Sequence, residues 1–166
     1  MTNSEEKLTE KQELIKEIEK KFEELKKKIG FKASLEDIDD VFSIKDYVIH
    51  TGYVREKFSL QLNQTICDYF NSWQNYLIGL IFPAHDYLIR QTESKLFSSE
   101  EDKKKIWSLI RDSMKFVSRS SVLMLRNDIN LERDFIDESY SFCKAVFIPE
   151  LLKIVEKIYL NWNSKQ

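Results

Sequence analysis

Four polar side chains in the middle of the chain have types that catalysis uses: Asp68, His85, Asp86 and Arg90. A histidine beside an aspartate can move protons near neutral pH, because imidazole titrates there and a carboxylate fixes its tautomer. An arginine one turn on can hold an anion in its planar fork. Asp68 is the one formal charge in FSLQLNQTICDYFNSWQNYLIGLIFP, residues 58–83, so if buried it needs a cation or several N–H donors. An enzyme built on these groups would have its site near His85 and Asp68. A plainer reading fits the same residues. His85 to Arg90 lie in a stretch, 83–97, without helical periodicity, where Asp86 can cap a short helix containing Tyr87 to Gln91.

A second group could bind anions. The chain has twenty Lys and six Arg, yet between Ile106 and Cys143 the cations are Arg111, Arg119, Arg126 and Arg133 against Lys115 alone. On a helix, Lys104, Arg111, Lys115, Arg119 and Arg126 fall within roughly 80°, opposite Ile106, Ile110, Val117 and Met124. Arginine suits bidentate contact with phosphate or carboxylate. Such a stripe can grip a nucleic-acid backbone or the acidic face of a partner. It can also be a solvated face, neutralised by Glu132, Asp134, Asp137 and Glu138 of the next helix if the two are antiparallel.

Other chemistry is excluded on the residues. With three isolated glycines there is no P-loop and no G-x-G-x-x-G, and neither G-x-S-x-G nor H-E-x-x-H occurs. A di-iron bundle needs Glu-x-x-His pairs, but Tyr47 precedes His50 and Phe82 precedes His85. No metal or cofactor is expected. Cys67 and Cys143 stand outside any C-x-x-C or Cys/His cluster. A net charge of −2 gives no global field toward nucleic acid or an anionic membrane. No apolar leader and no spanning segment are seen, so the cytoplasm is the expected compartment.

The elements that carry these residues read as helices. Three Gly and two Pro are too few for a turn-rich β fold. Five helical stretches are expected. The first covers about 5–29, capped by Thr2/Glu5 or Thr9/Gln12 and ended by Gly30. Ile15, Ile18, Phe22, Leu25 and Ile29 form a heptad seam, flanked by the i,i+4 pairs Glu17–Lys21, Glu23–Lys27 and Glu24–Lys28. A parallel homodimer on that seam would set Lys21 against Lys26. The second stretch, 34–50, has capping boxes at Ser34/Asp37 and Ser43/Asp46, so a break near Ser43 is expected. The third covers 54–82 and stops at Pro83, which pushes Phe82 out of the α region. The fourth follows Ser98 and Ser99 to Arg126. The fifth runs from Asn127-Asp128 to Trp162, bent or broken at Pro149, which cannot bond the carbonyl of Ala145.

On the third helix Phe58, Leu62, Ile66, Tyr69, Trp73, Tyr76 and Leu80 share a face. Gln61, Asn63, Gln64, Asn71, Gln74 and Asn75 occupy positions where a surface helix carries Lys and Glu. A neutral amide tolerates poor hydration; an unpaired ion does not. The helix is therefore expected to be central, with a core of Phe58, Leu62, Ile66, Tyr69, Trp73 and Leu80. Ile106, Ile110 and Val117 should join it from the fourth helix, and Phe135, Phe142, Val146, Leu151, Val155 and Ile158 from the fifth. The expected fold is all-α, a single domain forming a four- to five-helix bundle of long, mostly antiparallel helices. Residues 1–33 form its heptad-patterned, coiled-coil-like helix and 34–166 the bundle. The leading functional expectation is a non-enzymatic interaction protein. It would dock a protein partner, or a second copy, through the first helix or the amide-rich face of 55–82. The alternative is a small nucleic-acid-associated protein using the stripe on 99–126.

Overall fold

The computed structural model describes residues 3–84, 87–126 and 128–164. They are all-helical, with no strand among them. In chain order the elements are α1 (Asn3–Ile29), α2 (Leu35–Phe42), α3 (Ile44–Thr51), α4 (Phe58–Ile81), α5 (Leu88–Ser94), α6 (Glu100–Arg126), α7 (Ile129–Phe142) and α8 (Ile148–Asn163). A 3-10 turn, Lys95–Phe97, joins α5 to α6, and a π-turn, Cys143–Phe147, joins α7 to α8.

Local chemistry sets most helix ends. Ser34 and Asp37 form a reciprocal capping box at α2. Ser99 Oγ accepts from the Asp102 N–H at 3.1 Å and Asp128 Oδ1 accepts from the Asn130 N–H at 2.9 Å, starting α6 and α7. Gly30 and Gly52 close α1 and α3 at φ +79° and +77°, which glycine adopts without a Cβ clash. The Phe82 N–H still reaches Ile78 O at 2.8 Å, and α4 ends there before Pro83.

Four expected ends differ. The third stretch, expected from 54, becomes helical as α4 only at Phe58, because the Gln61 side chain holds the residues before it in a loop through the Arg55 N–H and Tyr53 O. Thr9 lies inside α1, which already begins at Asn3; the Thr2 side of that expectation falls outside the described residues. Ser43 does break the second stretch, but it stands in the left-handed region at φ 52° and makes no side-chain cap. A capping side chain needs extended backbone to reach the N2 or N3 amide. Asp39 serves instead: its Oδ1 accepts from the Lys45 N–H at 2.8 Å, and its backbone O accepts from the Ser43 N–H. The interruption expected at Pro149 falls a turn earlier: α7 ends at Phe142, and Pro149 lies in the first turn of α8, which starts at Ile148. The turn before it widens, and the Ile148 N–H bonds Cys143 O five residues back. One added residue in the turn relieves the ring's clash with the carbonyl four residues earlier.

The chain forms two compact units. The first comprises the chain up to Cys67 together with Arg119–Tyr140. Its buried residues include Ile18, Phe22 and Ile29 of the α1 seam, then Ile38, Ile44, Val48, Phe58, Leu62, Ile66, Phe135 and Ile136. The loop after α1 is held by side chains from both flanks. Asp137 Oδ1 accepts from the Lys32 and Ala33 N–H groups at 2.8 and 3.3 Å, and Lys26 Nζ donates to Lys32 O and Ala33 O. The Tyr140 hydroxyl donates to Asp37 Oδ1 at 2.7 Å.

The second unit comprises Asp68–Ser118 and the chain from Ser141 onward. Its centre is Phe70, stacked on Phe116 at 5.3 Å and edge-on to Phe147 at 5.5 Å, with Phe116 stacked on Phe142 at 5.0 Å. Gln74 Nε2 donates to Ser113 Oγ at 2.9 Å. Contacts between α4 and α6 run in opposite chain order, Phe70 with Phe116 and Gln74 with Ser113. Those between α6 and α7–α8 do the same, Phe116 with Phe142 and Asp102 with Lys157.

Of the expected core, Phe58, Leu62, Ile66, Leu80, Ile106, Ile110, Phe135, Leu151 and Ile158 are buried. Tyr69, Trp73, Val117, Phe142 and Val155 are half-buried. Val146 (44% exposed) points outward, and so does Met124 (58%), which the helical wheel set opposite the basic stripe. In their regions Phe147 and Leu123 are buried instead, and α6 also buries Ser113 and Ser120. Among the amides, Gln61, Asn63 and Gln74 are buried, Gln64 and Asn71 half-buried, and Asn75 exposed. Gln61 shows why an amide suits a dry position: Oε1 accepts from the Arg55 N–H at 2.8 Å while Nε2 donates to Tyr53 O at 3.1 Å.

Candidate interaction surfaces

Of the polar groups singled out from the sequence, the two described ones, Asp68 and Arg90, do not come together. His85 and Asp86 lie outside the described residues. Asp68 is half-buried on α4, and Arg90 packs against Tyr76, about 12 Å further along that helix at 1.5 Å per residue. Arg90 is instead the centre of a clamp in the second unit. Its guanidinium lies 4.1 Å over the Tyr76 ring and bonds Glu93 Oε2 at 2.8 Å. Glu93 Oε1 accepts from the Trp162 indole N–H at 3.4 Å. Burial raises the Tyr76 hydroxyl above its ordinary pKa, against the opposing hydrogen bond from Arg90. The Gly79 Cα faces the Arg90 stem, and a Cβ there would sit 3.8 Å from Arg90 Cδ, an ordinary contact. Stacking, ion pair and indole bond together fasten α5 to α4 and to the end of α8.

The basic stripe is partly neutralised. Arg111 and Lys115 share the Asp112 carboxylate at 3.4 and 2.8 Å, and Arg111 also donates to Ser108 Oγ. The Lys115 bond, aided by Arg111, holds the Asp112 carboxyl below its usual range. Arg119 pairs with Glu138 on α7, so one acid expected to face the stripe does so. Lys104 and Arg126, toward opposite ends of α6, are exposed.

Among the described residues, the second unit carries a groove and a smaller cleft. The groove, of about 580 Å³, lies between α6 and α8. Ile106, Leu109, Val146 and Ile154 give it an apolar lining, and Lys157 reaches across to Asp102 at 3.1 Å while lying 4.8 Å over the Phe97 ring. The Lys157 and Ser99 bonds lower the Asp102 pKa. Its acids Asp102, Asp112 and Glu150 are matched by Lys105, Lys153 and Lys157, so it presents no net sign. The cleft, of about 230 Å³, is lined by Ile81, Phe82, Lys103, Lys104 and Trp107. Phe82 is 66% exposed and Trp107 53%. Phe82 is held out by the helix stop before Pro83. Trp107 lies about 100° around α6 from Ile106, off the buried stripe.

The sequence reading missed this cleft. Its signal was available: a Trp off the apolar stripe, next to Lys103-Lys104, with a second aromatic at a proline stop. What was hidden was the pairing of α4's end with α6's beginning. Leu88 and Ile89 of α5, and Leu152, Tyr159 and Leu160 of α8, are further exposed apolar groups.

Cys67 and Cys143 are buried thiols. Burial pushes the Cys143 thiol well above its usual pKa, and burial, then the neighbouring Cys143, pushes Tyr69 up to about 12. Among the described residues no three His, Cys, Asp or Glu side chains gather as a metal site, and no helix is long and apolar enough to cross a membrane. Compared with models of known protein families, with characterised proteins and with solved structures, the chain matches none.

Proposed function

We propose that this protein is a non-enzymatic helical interaction protein, docking a partner protein through the exposed apolar surface around Phe82 and Trp107. The observation that carries this reading is the pairing of two large aromatics, each more than half exposed, across one cleft. Single exposed apolar residues are ordinary on a protein surface, but adjoining aromatics around a concavity are the composition of binding hot spots. The two surfaces first considered are largely engaged within the chain. Ile18, Phe22 and Ile29 of the α1 seam are buried, and Gln61 and Gln74 of the amide face bond inside the fold. The long helices form a bundle of mostly antiparallel neighbours in this reading, which the reversed order of the α4–α6 and α6–α8 contacts supports. Two buried thiols fit a reducing compartment such as the cytoplasm.

The nucleic-acid alternative would use Lys104, Arg111, Lys115, Arg119 and Arg126, three of which already face carboxylates. The enzyme alternative loses Arg90 to its clamp with Glu93 and Tyr76. A photoreactive amino acid placed in vivo at position 82, 107 or 19 tests the reading. The expected result is one discrete protein adduct shared by positions 82 and 107 and missing at the exposed Glu19 of α1. Adducts indistinguishable among the three positions, or none at 82 and 107, would refute it.

A further inference from the structure

Among the described residues the cleft is lined by apolar surface, and the charged residues that reach it are both lysines. Ile81, Phe82 and Trp107 make the floor, and Lys103 and Lys104 stand on the turn of α6 beside it. The acids of that first turn are largely turned to other partners. Glu101 pairs with Lys105 at 2.7 Å and Asp102 with Lys157 at 3.1 Å, while Glu100 takes Lys103 at 3.2 Å. Among the described residues Lys104 makes no ion pair. The Lys103–Glu100 bridge is exposed on both sides, so exchanging its carboxylate for another costs little. The space, about 230 Å³, suits one or two bulky side chains rather than an extended sheet of contacts.

Resting on the docking surface proposed above, we infer that the cleft receives an acidic amphipathic segment of a partner protein, one large apolar side chain seated between Phe82 and Trp107 and flanking carboxylates meeting Lys103 and Lys104. Charge complementarity selects the acidic partner, and the narrow concavity selects a peptide. A flat anionic surface, whether lipid or nucleic acid, is the poorer match. It would meet the exposed carboxylates of Glu100 and Glu101, at 80% and 79%, together with the lysines. A narrow ligand can reach the lysines and avoid them.

The test is a selection of displayed 12-residue peptides on the full-length protein. Synthetic copies of the winners are then titrated while the Trp107 indole N–H signal, assigned with Trp107→Phe, is followed by NMR. Selected peptides are expected to carry a bulky apolar residue within three positions of Asp or Glu, to shift the Trp107 signal, and to bind Lys103→Glu/Lys104→Glu about tenfold more weakly, as two exposed charge contacts imply. Basic or uncharged winners, or winners that bind this variant as well as the parent, would overturn the inference. So would phosphatidylglycerol vesicles or a 20-nucleotide RNA that moves the Trp107 signal at salt where the peptides do not. If the peptides fail while crosslinks at positions 82 and 107 still converge on one protein, the partner's chemistry falls and the docking surface stands. If both fail, the docking surface falls with it.

Discussion

Replacing Gln74 by Glu keeps the side chain's shape and adds a charge where the fold is dry. Gln74 is 4% exposed, and its Nε2–H donates to Ser113 Oγ, whose own O–H donates to Ile110 O at 2.9 Å. An ionised carboxylate would lose that donor and face a hydroxyl oxygen whose proton is already engaged. Burial raises a Glu pKa by up to ~3–5 units at a fully dry site. A hydroxyl neighbour moderates this, so a rise of about 2–3 units from 4.3 is reasonable. At about 1.4 kcal/mol per unit, the variant loses about 3–4 kcal/mol at pH 8. The folded pKa lies above the unfolded one. The penalty is therefore absent below about pH 4, where both states are protonated, grows as pH rises toward the folded pKa, and is constant beyond it. The neutral acid can also donate to Ser113 as the amide did. Urea unfolding followed by circular dichroism at pH 4, 6 and 8, each referenced to the parent, reads this directly. For a chain of this length the loss at pH 8 corresponds to roughly 6–16 °C in Tm. The exposed control Asn75→Asp should change stability by under about 0.5 kcal/mol. A loss of equal size at pH 4 and pH 8 would refute the reasoning, as would a Gln74→Glu loss no larger than the control's at pH 8.

Arg90→Ala strands Glu93, whose side chain is 10% exposed, with the Trp162 indole alone. It should cost about 2–4 kcal/mol in chemical unfolding, most of it recovered by Arg90→Met/Glu93→Leu, since removing both charges of a buried pair costs less than removing one. Gly30→Ala and Ser43→Gly should move the melting temperature in opposite directions. The first forces a side chain into left-handed backbone at about 1 kcal/mol or more, and the second relieves the same strain at φ 52°. Ser139 Oγ is buried with no hydrogen-bond partner among the described residues, whereas Ser113 Oγ has two. Ser139→Ala should therefore gain up to about 1 kcal/mol and Ser113→Ala lose a similar amount, both measurable by denaturant midpoint.

Much of the candidate surface could not be read from the sequence, and particular residues show why. Phe70 is the hub of the second unit, yet on a helical wheel it sits well away from the Phe58–Leu62–Leu80 line. Tyr69 and Trp73, which share that line, are only half-buried. Where the helix is apolar around most of its circumference, the wheel does not say which arc another helix will cover. On α6 the wheel aligned Met124 with Ile106 and Ile110, yet near the end of that helix Leu123 is the buried one. The Lys103–Trp107 turn was read as the edge of a basic stripe because its apolar neighbour, Phe82, comes from a different helix.

By itself the sequence determined the all-helical class, most helix ends and the low hydration of the α4 middle. Each rests on interactions within about one turn: Ser34 with Asp37, Ser99 with Asp102, Gly30 and Gly52 in left-handed backbone, Pro83 acting on Phe82, and amides standing where ions would be stranded. Only the tertiary structure decided which acid meets Arg119, that Asp39 rather than Ser43 caps α3, that the strain of Pro149 is absorbed as a π-turn, and that Phe82 and Trp107 face one cleft. Short-range bonds depend on spacing along the chain, which the residue order contains. Pairings between helices depend on the rotation and axial offset at which two long surfaces lock, and those follow from the packing of all the side chains at once.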